Sequence, residues 1–597
     1  MKLFFTRLNT LNIFIALAGI IFLIYANGLN TPLQSDDERH IYGTPQITNV
    51  DHYTNLSNIG YRHINGLSFA LNYQWGQDNP FGYHLFNILI HIGTTFLVFF
   101  IAQLTIAKGT SWGEDAALKI ALITALLFGL HPIQTETVTY ISGRPGGLAG
   151  LFYFLSLLLF ILASLKGSRV LRFAFYPLSL IIFFMAVLSK ESAITLPAIT
   201  ILYDLCFMQG QKWPPFRSRL GFYFCYPALA GAAFFLSPNV FSVIQGFFKK
   251  IHLTLGLVQL DLLKHPLKLF LFPVNLTFEY DFPTQVSWVS LLVSIAIILL
   301  CVFLAFKKFY IKSSVLTFCV LWFPLTIAPT NSFMPRTHLF SERNMYIPSF
   351  GLCLFFAVLL YLIADKAKKR GMIWGAVLLI FICTAIMVVK RNQVYASPST
   401  LWADTFKKSP NKLSIGKTLS IHYLMEEDYA NALTPLKALL QINPHLYDVH
   451  QNLGIAYKSL GNFPEAEKHF KEAIRIEPTD PNSHFNLASL YGNLGQFVQA
   501  SREFDQASAL YKTTGKYPPR QFYSDKARAH NQAGIELIQS QKFEEALIQF
   551  EKSIRQNSKL LSARFNLAKL LLEFKNDPEK AKTHLQAGLA LNPTPQQ

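Results

Sequence analysis

Residues 449–478 read VHQNLGIAYKSLGNFPEAEKHFKEAIRIEP, and residues 483–510 read SHFNLASLYGNLGQFVQASREFDQASAL. Asn452 and Asn486, Leu453 and Leu487, Gly461 and Gly495, Phe463 and Phe497, and Ala466 and Ala500 all stand 34 positions apart. A fixed period with small residues where paired helices touch specifies a stack of helical hairpins. Outward from these two copies the pattern continues. Tyr429, Ala432 and Pro444 mark an earlier copy, and QKFEEALIQF and ARFNLAKLLLEFKNDPEKAKTHL mark two later ones, after an insertion near 512–526. About five repeats predict a short solenoid whose concave face suits an extended peptide.

The period and residue pattern are those of the tetratricopeptide repeat (TPR). Upstream of residue 390 the sequence has a different character. The chain of 597 residues is 51% hydrophobic and 14% aromatic, with a mean hydropathy of +0.29. The excess lies before residue 390, in apolar runs long enough to cross roughly 30 Å of hydrocarbon. Eleven spans are expected, near 9–27, 84–106, 117–131, 147–165, 170–188, 192–209, 219–236, 287–306, 311–330, 345–364 and 372–389. The predicted fold class is all-α: a polytopic membrane helical bundle followed by a TPR α-solenoid. The expected domains are 1–390 and 391–597. The first run lacks a small-residue cleavage site and is read as an uncleaved anchor.

Of the 28 Lys and Arg up to residue 390, 17 fall in the short loops of one side, which marks that side as cytoplasmic. The other side carries 11 of the 15 acidic residues there. An odd number of spans then sends the repeats to the opposite side. The expected location is a bacterial inner membrane with loops and repeats in the periplasm, or the ER membrane with lumenal repeats for a eukaryotic source. Much of the net charge of +18 is this topological signal, so no nucleic-acid partner is expected. All six cysteines lie in apolar runs, which excludes a disulfide framework in the exported parts. The 16 histidines are scattered without metal-ligand spacing. No Gly-rich nucleotide loop is present.

Four loops on the exported side carry charge next to long apolar runs. LQSDDERHIYGT places Asp36, Asp37 and Glu38, in a loop that continues to Arg62. GLHPIQTETVTYISGRPGG places His131, Glu136 and Arg144. VLSKESAIT places Lys190 and Glu191, and HLFSERNMYIPSFG places Glu342 and Arg343. Ionisable groups at span ends are costly unless used. Arg144, Lys190 and Arg343 suit the phosphate of a lipid headgroup. A carboxylate, Asp36 or Asp37, suits deprotonation of an acceptor hydroxyl. His131, Glu136, Glu191, Glu342 and Arg62 are assigned supporting roles.

In order along the chain, DDERHIYGTPQI, YRHINGLSFALNYQWGQDNPFGYHLFNILIH, LLFGLHPIQTETVTYISGR, LSKESAITLPAITILYDL, LFLFPVNLTFEYDFP and SERNMYIPSFGLCL, followed by the repeats, resemble the transmembrane-and-TPR O-mannosyltransferase-type family of the GT-C superfamily. That resemblance implies a polyprenyl-phosphate-linked hexose, typically mannose, as donor, and a protein Ser or Thr hydroxyl as acceptor. It also implies an essential acidic residue in the first exported loop. The expected partners are this lipid-linked donor, membrane lipids, and an exported protein or peptide on the concave face of the repeats. No cofactor is expected, and a divalent metal is not indicated. The sequence departs from the family at "PGG" (145–147), so no family role transfers there, and at Gln134, where His is common. Two other readings compete: a non-catalytic membrane scaffold, and a transferase acting on a glycan or lipid acceptor.

Overall fold

The computed structural model describes residues 2–55, 58–60, 62–165, 169–208, 216–235, 253–282, 287–309, 314–331 and 339–591. Every regular element among them is helical. Compact packing divides the chain into two units, Met1–Ser409 and Pro410–Gln597.

In the first unit, among the described residues, a helix overlaps each of the eleven expected spans: Lys2–Tyr25, Pro80–Gly109, Glu114–Gly129, Arg144–Ser164, Arg169–Ser189, Leu196–Phe207, Leu220–Phe235, Trp288–Phe309, Ser314–Ile327, Ser349–Lys366 and Arg370–Val394. Among the described residues six helices are long and apolar enough to cross a membrane. A seventh joins them if Glu114–Gly129 and Pro132–Val138, bent by 50°, form one broken span. Leu196–Phe207 has only 12 residues, roughly 18 Å of helix, well short of a bilayer core.

The boundary belongs near residue 409, not 390. Helix Arg370–Val394 runs through residue 390 without a break. Helix Pro398–Lys408 then buries Leu401 and Trp402, and Lys408 Nζ donates to the carbonyl of Leu276 at 2.6 Å. Residues 391–409 therefore complete the membrane unit.

Two arrangements set the functional end of the bundle. Tyr346 lies against Gly150, where a Cβ would stand 2.6 Å from the Tyr346 ring, and pairs through Oη with His91 Nδ1 at 2.9 Å. Trp322 donates Nε1–H to the carbonyl of Ile347 at 3.0 Å and packs between Phe154 and Phe350. Residues 341–348 are thus pinned against helix Arg144–Ser164. The first and last membrane helices are clasped as well. Asn392 Nδ2 donates to Ile24 O (3.1 Å) and Asn27 Oδ1 (2.8 Å), Asn27 Nδ2 donates to Val389 O (3.0 Å), and Thr139 Oγ1 donates to Asn392 Oδ1 (2.7 Å).

The second unit contains five helix pairs, from Leu413–Met425 with Tyr429–Ile442 to Leu561–Glu573 with Pro578–Leu589. Gly454 permits close packing within a pair, because a Cβ there would meet the Phe470 ring at 2.4 Å. The turn between paired helices repeats with positive φ at Glu427, Gly461, Gly495, Gln541 and Asn576. The expected insertion is helical at both ends and non-helical over 515–521. It lengthens Phe497–Thr514 and Phe522–Gln539 to 18 residues each, leaving a short connection between them.

Candidate active site

The two aspartates sit at the start of the short helix Asp36–Ile41, entered through Ser35 at φ 52°. Successive residues of a helix point about 100° apart, so one turns inward and the other to solvent. Asp37 is buried (2% exposed) and accepts from Ser142 N–H (2.7 Å), Ser142 Oγ–H (2.5 Å) and Gln34 N–H (3.2 Å). Burial pushes its carboxyl up to about 7 even against these donors. Asp36 is exposed, and its N–H donates to Tyr140 Oη at 3.0 Å. His40 Nδ1 lies 2.9 Å from Ser142 Oγ, and desolvation lowers its proton affinity. A neutral His40 that donates from Nδ1 fits a Ser142 hydroxyl already committed to Asp37.

The four charged loops converge. Glu136 is buried and accepts from Ser341 Oγ–H (2.6 Å) and Arg343 N–H (3.0 Å), while Arg343 Nε lies 3.5 Å from its other contact oxygen. Arg343 remains 26% exposed at its side chain. Its guanidinium lies 5.8 Å from the Tyr140 ring centroid and within electrostatic reach of Asp36. Lys190 donates to Asn344 Oδ1 at 3.0 Å. Arg343, Lys190, Asn344, Ser192 and Gly146 line one recess. The "PGG" segment opens helix Arg144–Ser164, with its proline in the first turn. Gly146 keeps the floor of the recess bare, since a Cβ would lie 3.8 Å from Lys190 Nζ. Next to Lys190 in sequence, Glu191 pairs with Arg62 at 3.2 Å.

Three expected site residues have structural partners instead. Arg144 is fully buried and does not line the recess of Arg343 and Lys190. Its guanidinium donates to Asn87 Oδ1 (2.8 Å), Ser68 O (3.2 Å) and Tyr83 O (2.9 Å), and lies 4.4 Å from the Phe69 ring centroid. His131 Nε2 contacts Phe270 O at 2.9 Å, its Nδ1 accepts from Ile133 N–H, and its ring stacks on Phe270. Glu342 faces away from Arg343. It accepts from Thr277 N–H (2.6 Å) and Tyr280 Oη–H (2.7 Å), and stands 3.5 Å from Arg391. Arg391 in turn pairs with Asp404 at 3.0 Å. Burial raises the proton affinity of Glu342, against the pull of Arg391.

Reading for charge missed Tyr140, Ser142, His40 and Asn344. Each stands inside a stretch already singled out, but a neutral polar residue carries no charge signal at a span end. Only its partner in space marks it.

The tetratricopeptide repeat family matches residues 447–480, and a second tetratricopeptide repeat family matches 469–500. Protein O-mannosyl-transferase TMTC3 of Mus musculus is 24% identical over 463 residues, covering 70% of this chain and 47% of that protein. Its Homo sapiens counterpart aligns to the same extent. Over most of its length the chain is thus similar to transmembrane-and-TPR protein O-mannosyl-transferases. Protein O-mannosyl-transferase tmtc2 of Xenopus laevis is 30% identical over 198 residues, 31% of this chain and 23% of that protein. The chain spans about half the length of the first of these curated relatives. Among solved structures, a crystal structure of MamA is similar at 17% identity and a TM-score of 0.24, over 29% of this chain and 94% of that one. That of YrrB, described as a TPR protein with an unusual peptide-binding site, is similar at 17% identity and a TM-score of 0.27, over 33% and 95%. Family and apolar helices together make this an integral membrane protein.

Proposed function

We propose that the protein transfers a hexose, mannose by family likeness, from a polyprenyl-phosphate donor to a hydroxyl of an exported protein acceptor. One observation carries this reading: two cations from different loops, Arg343 and Lys190, line a common recess, with exposed Asp36 in electrostatic reach of Arg343. Asp36 accepts the proton of the acceptor hydroxyl as its oxygen attacks the anomeric carbon. The bond from that carbon to the donor phosphate breaks, and the phosphate leaves with the electron pair, held by Arg343 and Lys190. A single displacement inverts the anomeric centre. Asp37 and Glu136 are positioning residues: one stitches the Asp36 loop to Ser142, the other orients Arg343. An apolar groove of about 290 Å³, lined by Leu267, Phe270, Phe323 and Phe356 with Lys264 at its edge, suits the polyprenyl tail. The repeats dock the acceptor on the exported side of a bacterial inner or ER membrane. No cofactor enters this scheme.

The test is transfer by purified full-length protein in lipid, from a polyprenyl-phosphate mannose to a Ser/Thr peptide, read by mass spectrometry. Product is expected with wild type and lost in Asp36→Asn and Arg343→Ala. Equal product in all three removes Asp36 and Arg343 from the chemistry, and absence of product with wild type overturns the reading in favour of a membrane scaffold. Product on a glycan but not on the peptide assigns the other acceptor class.

A further inference from the structure

The helix His63–Gly76, in the first exported loop, is built inside out for a surface that faces water. Four of its six buried residues are polar: His63, Asn65, Ser68 and Asn72, beside Phe69 and Ala70. Three of these side chains hydrogen-bond within the loop. His63 Nε2 lies 2.7 Å from Tyr53 O, Ser68 Oγ–H donates to Asn65 O at 2.7 Å, and Asn72 Nδ2 donates to Gly82 O at 3.4 Å. The outward stripe is apolar. At 100° per residue, Ile64, Leu67, Leu71 and Trp75 fall within an arc of about 80°. Ile64 and Leu67 are half-buried, while Leu71 is 36% exposed and Trp75 78% exposed. The helix contains no Asp, Glu, Lys or Arg.

A helix on a watery surface hides its apolar stripe and shows its polar one. This helix does the reverse, and its neighbours give the reason. It packs against Pro80–Gly109 and Arg169–Ser189, each of which carries a segment long and apolar enough to cross a membrane. Both expose apolar side chains of their own, Phe81 and Leu89 on the first and Leu178 and Ile181 on the second. The stripe therefore adjoins a surface that already faces lipid. Its height is fixed by two further contacts. Arg62, the residue before the helix, pairs with Glu191 at 3.2 Å, just past the end of Arg169–Ser189. The carbonyl of Ser68 accepts from Arg144, the first residue of Arg144–Ser164, at 3.2 Å. The helix thus lies level with the ends of two spans, the depth at which Trp is enriched in membrane proteins.

From this combination we infer that helix His63–Gly76 lies in the plane of the membrane surface. Its Ile64–Trp75 stripe is seated at the boundary between headgroups and acyl chains, in the leaflet beside the recess. A helix without charge engages that boundary by burying apolar surface, not by selecting a headgroup charge. The inference rests on the membrane spans and not on the transfer reading. Through Arg62 and Glu191, the same seat ties the bilayer surface to the loop that carries Lys190.

The experiment is tryptophan fluorescence of full-length protein in lipid nanodiscs, with lipids brominated either near the headgroup or near the chain end. Of the seven tryptophans, Trp75→Phe removes one, so wild type minus variant isolates Trp75. Bromine near the headgroup is expected to quench this difference at least twofold more than bromine near the chain end. Aqueous iodide should quench it at least twofold less than it quenches free tryptophan. Phe keeps the stripe apolar, so the melting temperature of the variant is expected to hold. A benzophenone amino acid in place of Leu71, illuminated in the same nanodiscs, should yield lipid adducts, and this reading needs no change at Trp75. Free access of iodide with no quenching by either lipid would place the stripe in water and overturn the inference. Stronger quenching from the chain end would overturn the seat at the boundary. Cross-linking from position 71 to a second copy or to another protein, in place of lipid, would overturn the bilayer as its partner.

Discussion

Ser142 donates twice to one oxygen of Asp37, from its backbone N–H at 2.7 Å and from its hydroxyl at 2.5 Å. The second oxygen takes the N–H of Gln34. The first exported loop is therefore sewn to the second by a carboxylate with no free side, and the neighbouring Asp36 is left facing solvent. Two adjacent aspartates are given different work because successive residues of the helix Asp36–Ile41 point about 100° apart.

Asp36→Asn should keep the melting temperature and lose at least about a hundredfold in turnover, the usual worth of a positioned base. Asp37→Asn should act on stability, with a pH dependence of known sign. The folded-state pKa of about 7 exceeds the ordinary 3.8, so the folded protein holds a proton that the unfolded chain has released. The stabilisation is complete below about pH 4 and lost as pH rises through 7. Asn carries no such proton. The melting-temperature advantage of wild type over Asp37→Asn should therefore shrink between pH 5 and pH 8. A gap constant across that range would contradict the assignment.

Arg343→Lys keeps the charge but not the planar fork that Glu136, Ser142 and a phosphate share, and transfer should fall at least about tenfold. Glu136→Gln should fall less, since the amide oxygen still accepts from Ser341 and Arg343 N–H. Steady-state kinetics in detergent, with donor titrated, distinguishes a rise in KM from a fall in kcat. Wild-type kinetics in Arg343→Lys would remove its contact with the donor.

Arg144→Lys should unfold the loop cluster without altering donor affinity in whatever folded protein remains. The ammonium cannot serve Asn87, Ser68 and Tyr83 together, and each orphaned acceptor costs about 1–3 kcal/mol. Thermal unfolding of the purified variant reads this directly. An unchanged melting temperature with weakened donor binding would restore the phosphate role.

Ending the chain after Ser409 should leave donor hydrolysis intact while modification of large acceptors falls. Ending it after Lys390 should not give a folded enzyme. That cut removes Arg391 and Asp404 and strands the Glu342 carboxylate in the interior, a loss of about 3–5 kcal/mol. Size-exclusion profiles and donor hydrolysis of the two truncations provide the comparison.

The repeats were legible because their period is written in identical residues, and the membrane helices because hydropathy needs no partner to be read. The convergence of four loops was legible from charge placed where lipid gives it no use. Direction was not. Arg144, Arg343 and Lys190 look alike in sequence, and only Asn87, Phe69 and the Tyr83 carbonyl reveal that the first is spent on the interior. Glu342 and Arg343 are adjacent, yet a short helical turn sends one towards Thr277 and the other towards Glu136. The boundary at 409 was hidden for a similar reason. Polar composition changes at 390, but Leu401 and Trp402 bury themselves in the preceding unit.

The clasp of Asn27 and Asn392 has a consequence for biosynthesis. The first helix leaves the ribosome with Asn27 lacking its partner, and no earlier segment supplies the contacts of Asn392 to Ile24 and Asn27. The first and last membrane helices therefore stay unclasped until the last one has been inserted. Arg391 arrives in that same step and neutralises Glu342. The partner of Glu342 is thus the last part of this end of the bundle to arrive.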